Sequence, residues 1–106
     1  MNNIFEYTLP EVDNEHFYTQ LKTKNVEIKT IVSNTLSTPQ IFTQECDEWV
    51  VVLQGCAKIE MDEKVYKLKK GDTLFIPANT QHTLLKTKKV VVWLAVYIYE
   101  NETRVK

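Results

Sequence analysis

The chain has little of what breaks or staples a fold. Its 106 residues hold two glycines, three prolines and two cysteines. So little glycine and proline excludes collagen-like, low-complexity and linker-rich architectures. Two cysteines are too few for a disulfide scaffold, and Cys46 and Cys56 are expected to be free thiols. Histidine is equally scarce: His16 and His82 are the only two, which restricts any metal site built on imidazoles. Neither sign of charge dominates, because 13 Lys and Arg against 14 Asp and Glu leave a net charge of -1. That lacks the basic excess of a nucleic-acid binder, and no nucleic-acid partner is expected. Lysines do cluster at Lys67, Lys69 and Lys70 and at Lys86, Lys88 and Lys89, a pattern read as solvated edges and turns that discourage strand-to-strand association. The longest apolar run, VVVWLAVYIY, has ten residues, about half of what a membrane-spanning helix needs. The N-terminal MNNIFEYTLPEV has no basic start and no continuous apolar stretch, so it does not read as a secretory signal. The expected location is cytoplasmic, with no membrane partner.

What is present describes one globular domain. Hydrophobic residues make up 43% and charged residues 25%, an ordinary balance for a folded chain that is long enough for a single core. DNEHFYTQLK, residues 13–22, predicts a short helix, with Asp13 as N-cap and Phe17 and Leu21 one helical step apart. Beyond it the period changes to two. VEIKTIVS alternates apolar Val26, Ile28 and Val32 with charged Glu27 and Lys29. EWVVVLQG follows, and CAKIEMD sets Ala57, Ile59 and Met61 against Lys58 and Glu60. The polar tip Asp62, Glu63 and Lys64 turns the chain into VYKLKK, making a hairpin. DTLFIP is a strand stopped by Pro77, and HTLLK and KVVVWLAVYIYE supply two more. Short strands with turn signals about ten residues apart predict an all-β sandwich or barrel. The expected division is one domain over 1–106, with an N-terminal extension over 1–25 and a barrel over 26–100.

Two spacings carry more than fold class. Glu48 is followed by six residues and Gly55; Gly71 is followed by five residues, Pro77, Asn79 and His82. These resemble the two motifs of the cupin superfamily, small jelly-roll barrels. Both glycines of the chain fall on motif glycines. Asn79 stands where the second motif has a glycine, and Lys86 where it has an asparagine. Fifteen residues separate the motifs, as in minimal single-domain bacterial cupins. The resemblance therefore implies a double-stranded β-helix over roughly residues 26–100. The first motif also calls for two histidines before the glutamate, and here the candidate positions are Phe42 and Gln44, or Ile41 and Thr43.

By resemblance, Glu48 and His82 face the barrel interior, together with Phe42, Gln44, Val50, Trp93 and Tyr97. A carboxylate there needs a metal, a hydrogen-bonding partner or a proton. Two readings stay open. In one, the barrel binds a small polar molecule and retains a degenerate metal site around Glu48, His82 and Gln44. In the other, the chain is a metal-dependent enzyme of dioxygenase or isomerase and epimerase type, with Glu48 and His82 as ligands or acid–base groups. The implied cofactor is one divalent ion of zinc, iron, manganese or nickel, or none. Zinc would accept Cys46 as a further thiolate ligand. Acidic neighbours raise the Cys46 thiol and disfavour it as a nucleophile. Trp49, Trp93 and Tyr97 are expected to pack in the core or an interface. Exposed sheet edges and the apolar Ile4, Phe5, Tyr7 and Leu9 point to a homodimer.

Overall fold

A computed structural model describes residues 3–99 of the chain. The remainder of the expected domain, residues 1–2 and 100–106, lies outside the described residues. Seven strands follow one another: β1 Glu15–Lys22, β2 Val26–Ser33, β3 Gln40–Phe42, β4 Asp47–Met61, β5 Lys64–Lys69, β6 Thr73–Ile76 and β7 His82–Ile98. All pairings are antiparallel, in the order β1-β2-β7-β4-β5, with β3 added to β7 and β6 added to β4.

No helix occurs among the described residues, so the helix expected over 13–22 is a strand. Two features outweigh the single Phe17–Leu21 spacing. Glu15, Phe17 and Thr19 alternate with His16 and Tyr18, and aromatic and β-branched side chains suit a pleated surface. The segment then meets β2 from Glu15 opposite Ser33 to Lys22 opposite Glu27, giving it a ladder that a free-standing helix could not match. Asp13 does not cap a helix. Its φ of 69° marks a turn, and its carboxylate accepts from the Ser37 backbone N–H and hydroxyl.

The two long strands bend where the alternation slips. In β4 the register with β7 shifts between Val52 and Gln54, between Gln54 and Cys56, and again after Lys58. Glu48, Val50 and Val52 are buried before the slip; Ala57, Ile59 and Met61 are buried after it. The inward face thus passes from even to odd positions, as a bulge requires. Gly55 lies at this point with φ +86°, and a Cβ there would meet the Val90 carbonyl oxygen at 2.5 Å. Only glycine fits that approach. The core gathers the inward residues of both halves, including Ile31, Val50, Ile59, Leu74, Ile76, Leu84 and Trp93.

The β4–β5 hairpin closes on a two-residue turn, since Met61 pairs with Lys64. Asp62 and Glu63 both have positive φ, 52° and 64°, the type I′ geometry that matches strand twist. Trp49 is 37% exposed and lies opposite Phe75 on the outer face of the sheet, so it does not join the core.

Candidate functional site

The second motif positions the site through its turns. β6 ends at Ile76, and Pro77 prevents its continuation. Asn79 takes φ 60°, the left-handed conformation for which the motif has glycine and which asparagine tolerates. Its N–H donates to the Gln44 carbonyl at 2.7 Å, and the Ala78 N–H donates to Asp47 Oδ1 at 2.8 Å. The loop before His82 is therefore tied to the segment that leads into Glu48.

Between the strands lies a cavity of about 110 Å³. Glu48, Gln44, Phe42, Val50, His82, Trp93 and Tyr97 all line it, so the structure brings every expected pocket residue to one place. Glu48 lies opposite Tyr97 near one end of the β4–β7 ladder and His82 opposite Met61 at the other. The curl of the two bent strands carries both to the same space. Ile31, Ile59, Ile76 and Leu84 complete the apolar wall.

Sequence reasoning missed Glu15 and Phe17, which also line the cavity from β1. A helix over 13–22 gave them no reason to face the barrel. The period-two alternation of Glu15, Phe17 and Thr19 was the signal that could have found them.

The electrostatics of the cavity follow from burial. Glu48 is 6% exposed. Its Oε1 accepts from Gln44 Nε2 at 2.6 Å. Burial pushes its carboxyl up to about 7, against the opposing pull of hydrogen bonding from Gln44 and Tyr97; Glu15 adds to the rise and Lys29 reduces it. Glu15 is likewise raised by burial, with the Ser33 hydroxyl opposing. That hydroxyl donates to Glu15 Oε2 and accepts from Trp93 Nε1 at 3.2 Å. A polar thread therefore runs from the indole through Ser33 to the carboxylate. Tyr97 is held in its phenol form by burial and by the neighbouring Glu48 charge.

Two carboxyl groups thus face one small space, and no Lys or Arg is part of its lining. The Lys29 ammonium lies beside two of its rings. Its Nζ lies 5.3 Å from the Tyr97 ring centroid and 5.8 Å from that of Phe17, and 3.9 Å from Glu27 Oε2. It stands on the same face of β2 as cavity-lining Ile31 and is held against two cavity rings by cation–π attraction.

His82 is 6% exposed. Its Nδ1 lies 3.1 Å from the Thr80 carbonyl, and its ring stacks on Phe42 with centroids 5.9 Å apart. His16 points elsewhere, with Nδ1 2.9 Å from the Thr8 carbonyl. Cys46 is buried but does not line the cavity, so it does not serve as the extra zinc ligand. Burial, more than the charge of Glu48, raises its thiol. Both cysteines are free.

A catalytic metal needs about three protein ligands with converging lone pairs. Among the described residues no three His, Cys, Asp or Glu side chains gather in that way. Gln44 turns its amide nitrogen to Glu48 and offers that carboxylate a donor, not an ion a ligand. The donor set does not fit a metal centre.

Comparison with known proteins agrees with the architecture. Residues 29–97 match the cupin domain family. The chain is similar to the crystal structure of a "putative mannose-6-phosphate isomerase" from Ralstonia eutropha, at 30% identity and TM-score 0.83, covering 94% of this chain and 98% of that one. It is also similar to a cupin superfamily protein from Desulfitobacterium hafniense, at 18% identity and TM-score 0.71 over 88% and 84% of the two chains. An RmlC-like cupin from Shewanella frigidimarina gives 12% identity and TM-score 0.74 over 92% and 86%. A sequence search of curated proteins finds no match. With the motif turns, the bent antiparallel strands and a family match over most of its length, the chain belongs to the cupin family.

Proposed function

We propose that this cupin binds a small, non-anionic polar molecule in its cavity, with Glu48 as the contact that exchanges a proton. The observation that carries this reading is the lining: two carboxyl groups, an aromatic and aliphatic wall, and no lysine or arginine. A space of about 110 Å³ holds the volume of roughly four waters. Ordinary ligand sites start at about 300 Å³, so the ligand is a few heavy atoms in size or inserts only one end. The likeness to a protein named for a sugar-phosphate reaction does not supply such a substrate here, because no lysine or arginine lines the cavity and the Lys29 ammonium beside it is 3.9 Å from Glu27 Oε2.

A second reading is favoured by one observation. A carboxyl raised to about 7 is matched to proton transfer near neutral pH. In an enzymatic role Glu48 would be the general acid or base of an isomerase-type reaction, with His82 and Tyr97 positioning the substrate.

The Trp93 indole N–H is the reporter for both readings, since it borders the cavity through Ser33. Propylammonium, 1-propanol and propionate have similar size and differ in charge. The expected result is that the first two shift the Trp93 indole signal in an ¹⁵N NMR titration and propionate does not. Equal binding of propionate, or no response to any of the three, overturns the proposal. Stoichiometric iron, manganese, zinc or nickel in protein purified without a histidine tag would instead restore the metal-dependent alternative around Glu48, His82 and Gln44.

The homodimer is also a proposal. β1 is the terminal strand of the sheet order among the described residues, and Phe5, Leu9, Phe17 and Leu21 near it are each at least half exposed. A second copy pairing at this edge would cover both. Sedimentation showing only a 12.4 kDa species at micromolar concentration would sink it.

A further inference from the structure

The second half of β4 carries a different chemistry from the first. Lys58 lies opposite Lys67 on β5 and opposite Lys86 on β7. One step along, Cys56 lies opposite Lys69 and Lys88. Two rows of side chains therefore cross three strands on the outer face, and all six residues are exposed. They line a groove of about 520 Å³. With strands about 4.8 Å apart and same-face residues about 6.7 Å apart, the rows are about 10 Å long and about 7 Å from each other.

Among the described residues these five lysines have no ionic partner. The one carboxylate in the groove lining is Asp72, whose Oδ2 accepts from the Lys69 backbone N–H at 2.9 Å and so closes a turn. Among the described residues the only ion pair is Lys29 with Glu27. Like charges directly opposite on a ladder destabilise it. Protection of an open edge accounts for Lys67 and Lys69, because β5 ends the sheet order. It does not account for Lys58, whose strand is paired on both sides.

We propose that this groove is an anion site for a compact oligophosphate, a chain of two or three phosphate groups. Lysine ammoniums are point charges with three donors each, suited to phosphate oxygens that accept from several sides. The patch is bounded. One step beyond Lys58 stands Glu60, opposite Val65 and Thr83, and its charge repels a longer polyanion that continues in that direction. The ligand is therefore short and highly charged rather than extended. This site is separate from the cavity, which lies on the inner face of the sheet and is lined by Glu48, Val50 and Ile59 of β4, whereas Lys58 is on the outer face.

Cys56 provides the reporter. It is exposed in the groove while Cys46 is buried, so a neutral alkylating agent such as iodoacetamide reads Cys56 in the folded protein. The expected result is that inorganic tripolyphosphate slows Cys56 alkylation and shifts the groove amides in an ¹⁵N NMR titration. Orthophosphate binds about tenfold more weakly, having fewer charged contacts. Raising sodium chloride from about 50 mM to about 500 mM releases the ligand, because exposed charges are screened. The double substitution Lys58→Gln with Lys86→Gln weakens tripolyphosphate by about tenfold or more, and Lys22→Gln with Lys24→Gln, outside the groove, leaves it unchanged. A Cys56→Ser protein retains the NMR response, because the thiol is not a ligand. Tripolyphosphate that does not bind, binds no better than orthophosphate, or is indifferent to the Lys58 and Lys86 changes overturns the proposal. Tighter capture of a single-stranded oligonucleotide or of anionic vesicles than of tripolyphosphate also overturns it, in favour of an extended polyanion.

Discussion

The inner face of the first half of β4 and the outer face of its second half place like charges together in opposite ways. In the cavity, Glu48 and Glu15 converge behind apolar walls, and burial answers the conflict by moving their titration upward. In the groove, Lys58, Lys67, Lys69, Lys86 and Lys88 converge in water, where salt screening softens the repulsion. The cavity charge is therefore conditional on pH and on what enters. The reach of the groove charge is conditional on salt. The same strand thus carries a buried site governed by proton exchange and an exposed one governed by screening.

The largest way to break this arrangement is at the point joining the two halves. Gly55→Ala forces a Cβ to 2.5 Å from a backbone oxygen at φ +86°, and the expected loss is about 4 kcal/mol or more. Gly71→Ala is the control. Gly71 has φ +90° but nothing within 4 Å of the added Cβ, so only backbone strain of about 1–2 kcal/mol applies. Urea unfolding of the two variants checks the ranking, and equal losses would mean that β4 and β7 are not in close contact at Gly55.

Glu48→Gln tests the conditional charge. An unfolded glutamate titrates near 4.5 and folded Glu48 near 7. Between those values the native state binds more protons, so its stability falls as pH rises. The contribution is complete below about 4.5 and gone above about 7. Glu15, also raised by burial, acts in the same direction, while Gln44, Tyr97 and Lys29 hold Glu48 down. Gln mimics the protonated acid, so the variant is expected to match the parent at pH 4.5 and exceed it by about 3 kcal/mol at pH 8. Unfolding curves at the two pH values decide it; a constant difference would show that Glu48 is solvated.

Lys58→Thr tests the groove charge. Removing the central member of a row of three ammoniums is expected to stabilise the protein by about 0.2–1 kcal/mol. The gain should disappear in about 1 M salt, where screening already removes the repulsion. A loss of stability instead would mean that the lysine stem packs against the sheet. The smallest effect is expected from Gln44→Leu, which deletes the donor on Glu48 Oε1 and raises the Glu48 titration above its present position, read by ¹³C NMR of the carboxyl group.

Much of the barrel was legible because its punctuation is local. Gly71 and Pro77 mark a turn and a strand end, and each acts through its own backbone; Gly55 was legible as a motif glycine, while its bulge inside a continuous β4 was not. Period-two alternation put Glu48 with Val50 and Trp93 with Tyr97 on shared faces, and the family resemblance supplied which face is the interior. Glu15 and Phe17 were not legible, because Phe17 and Leu21 also satisfy a helical spacing and only the pairing with β2 decides between the two. The groove was half legible. The lysine clusters are plain in the chain, but that Lys58 faces both Lys67 and Lys86 depends on register, which no single segment encodes.

The bulge at Gly55 works as a frameshift in the alternation of side chains. Upstream of it, even-numbered residues belong to the interior; downstream, they belong to water. If one residue between Val52 and Cys56 were deleted, every substituent beyond would be read in the other frame. Lys58 and Glu60 would then enter the core while Ala57, Ile59 and Met61 left it. A chain built this way tolerates substitutions on either side independently, so the chemistry of the interior and of the outer face can diverge without negotiation between them. It has little tolerance for a change of length at the one place where the two frames meet.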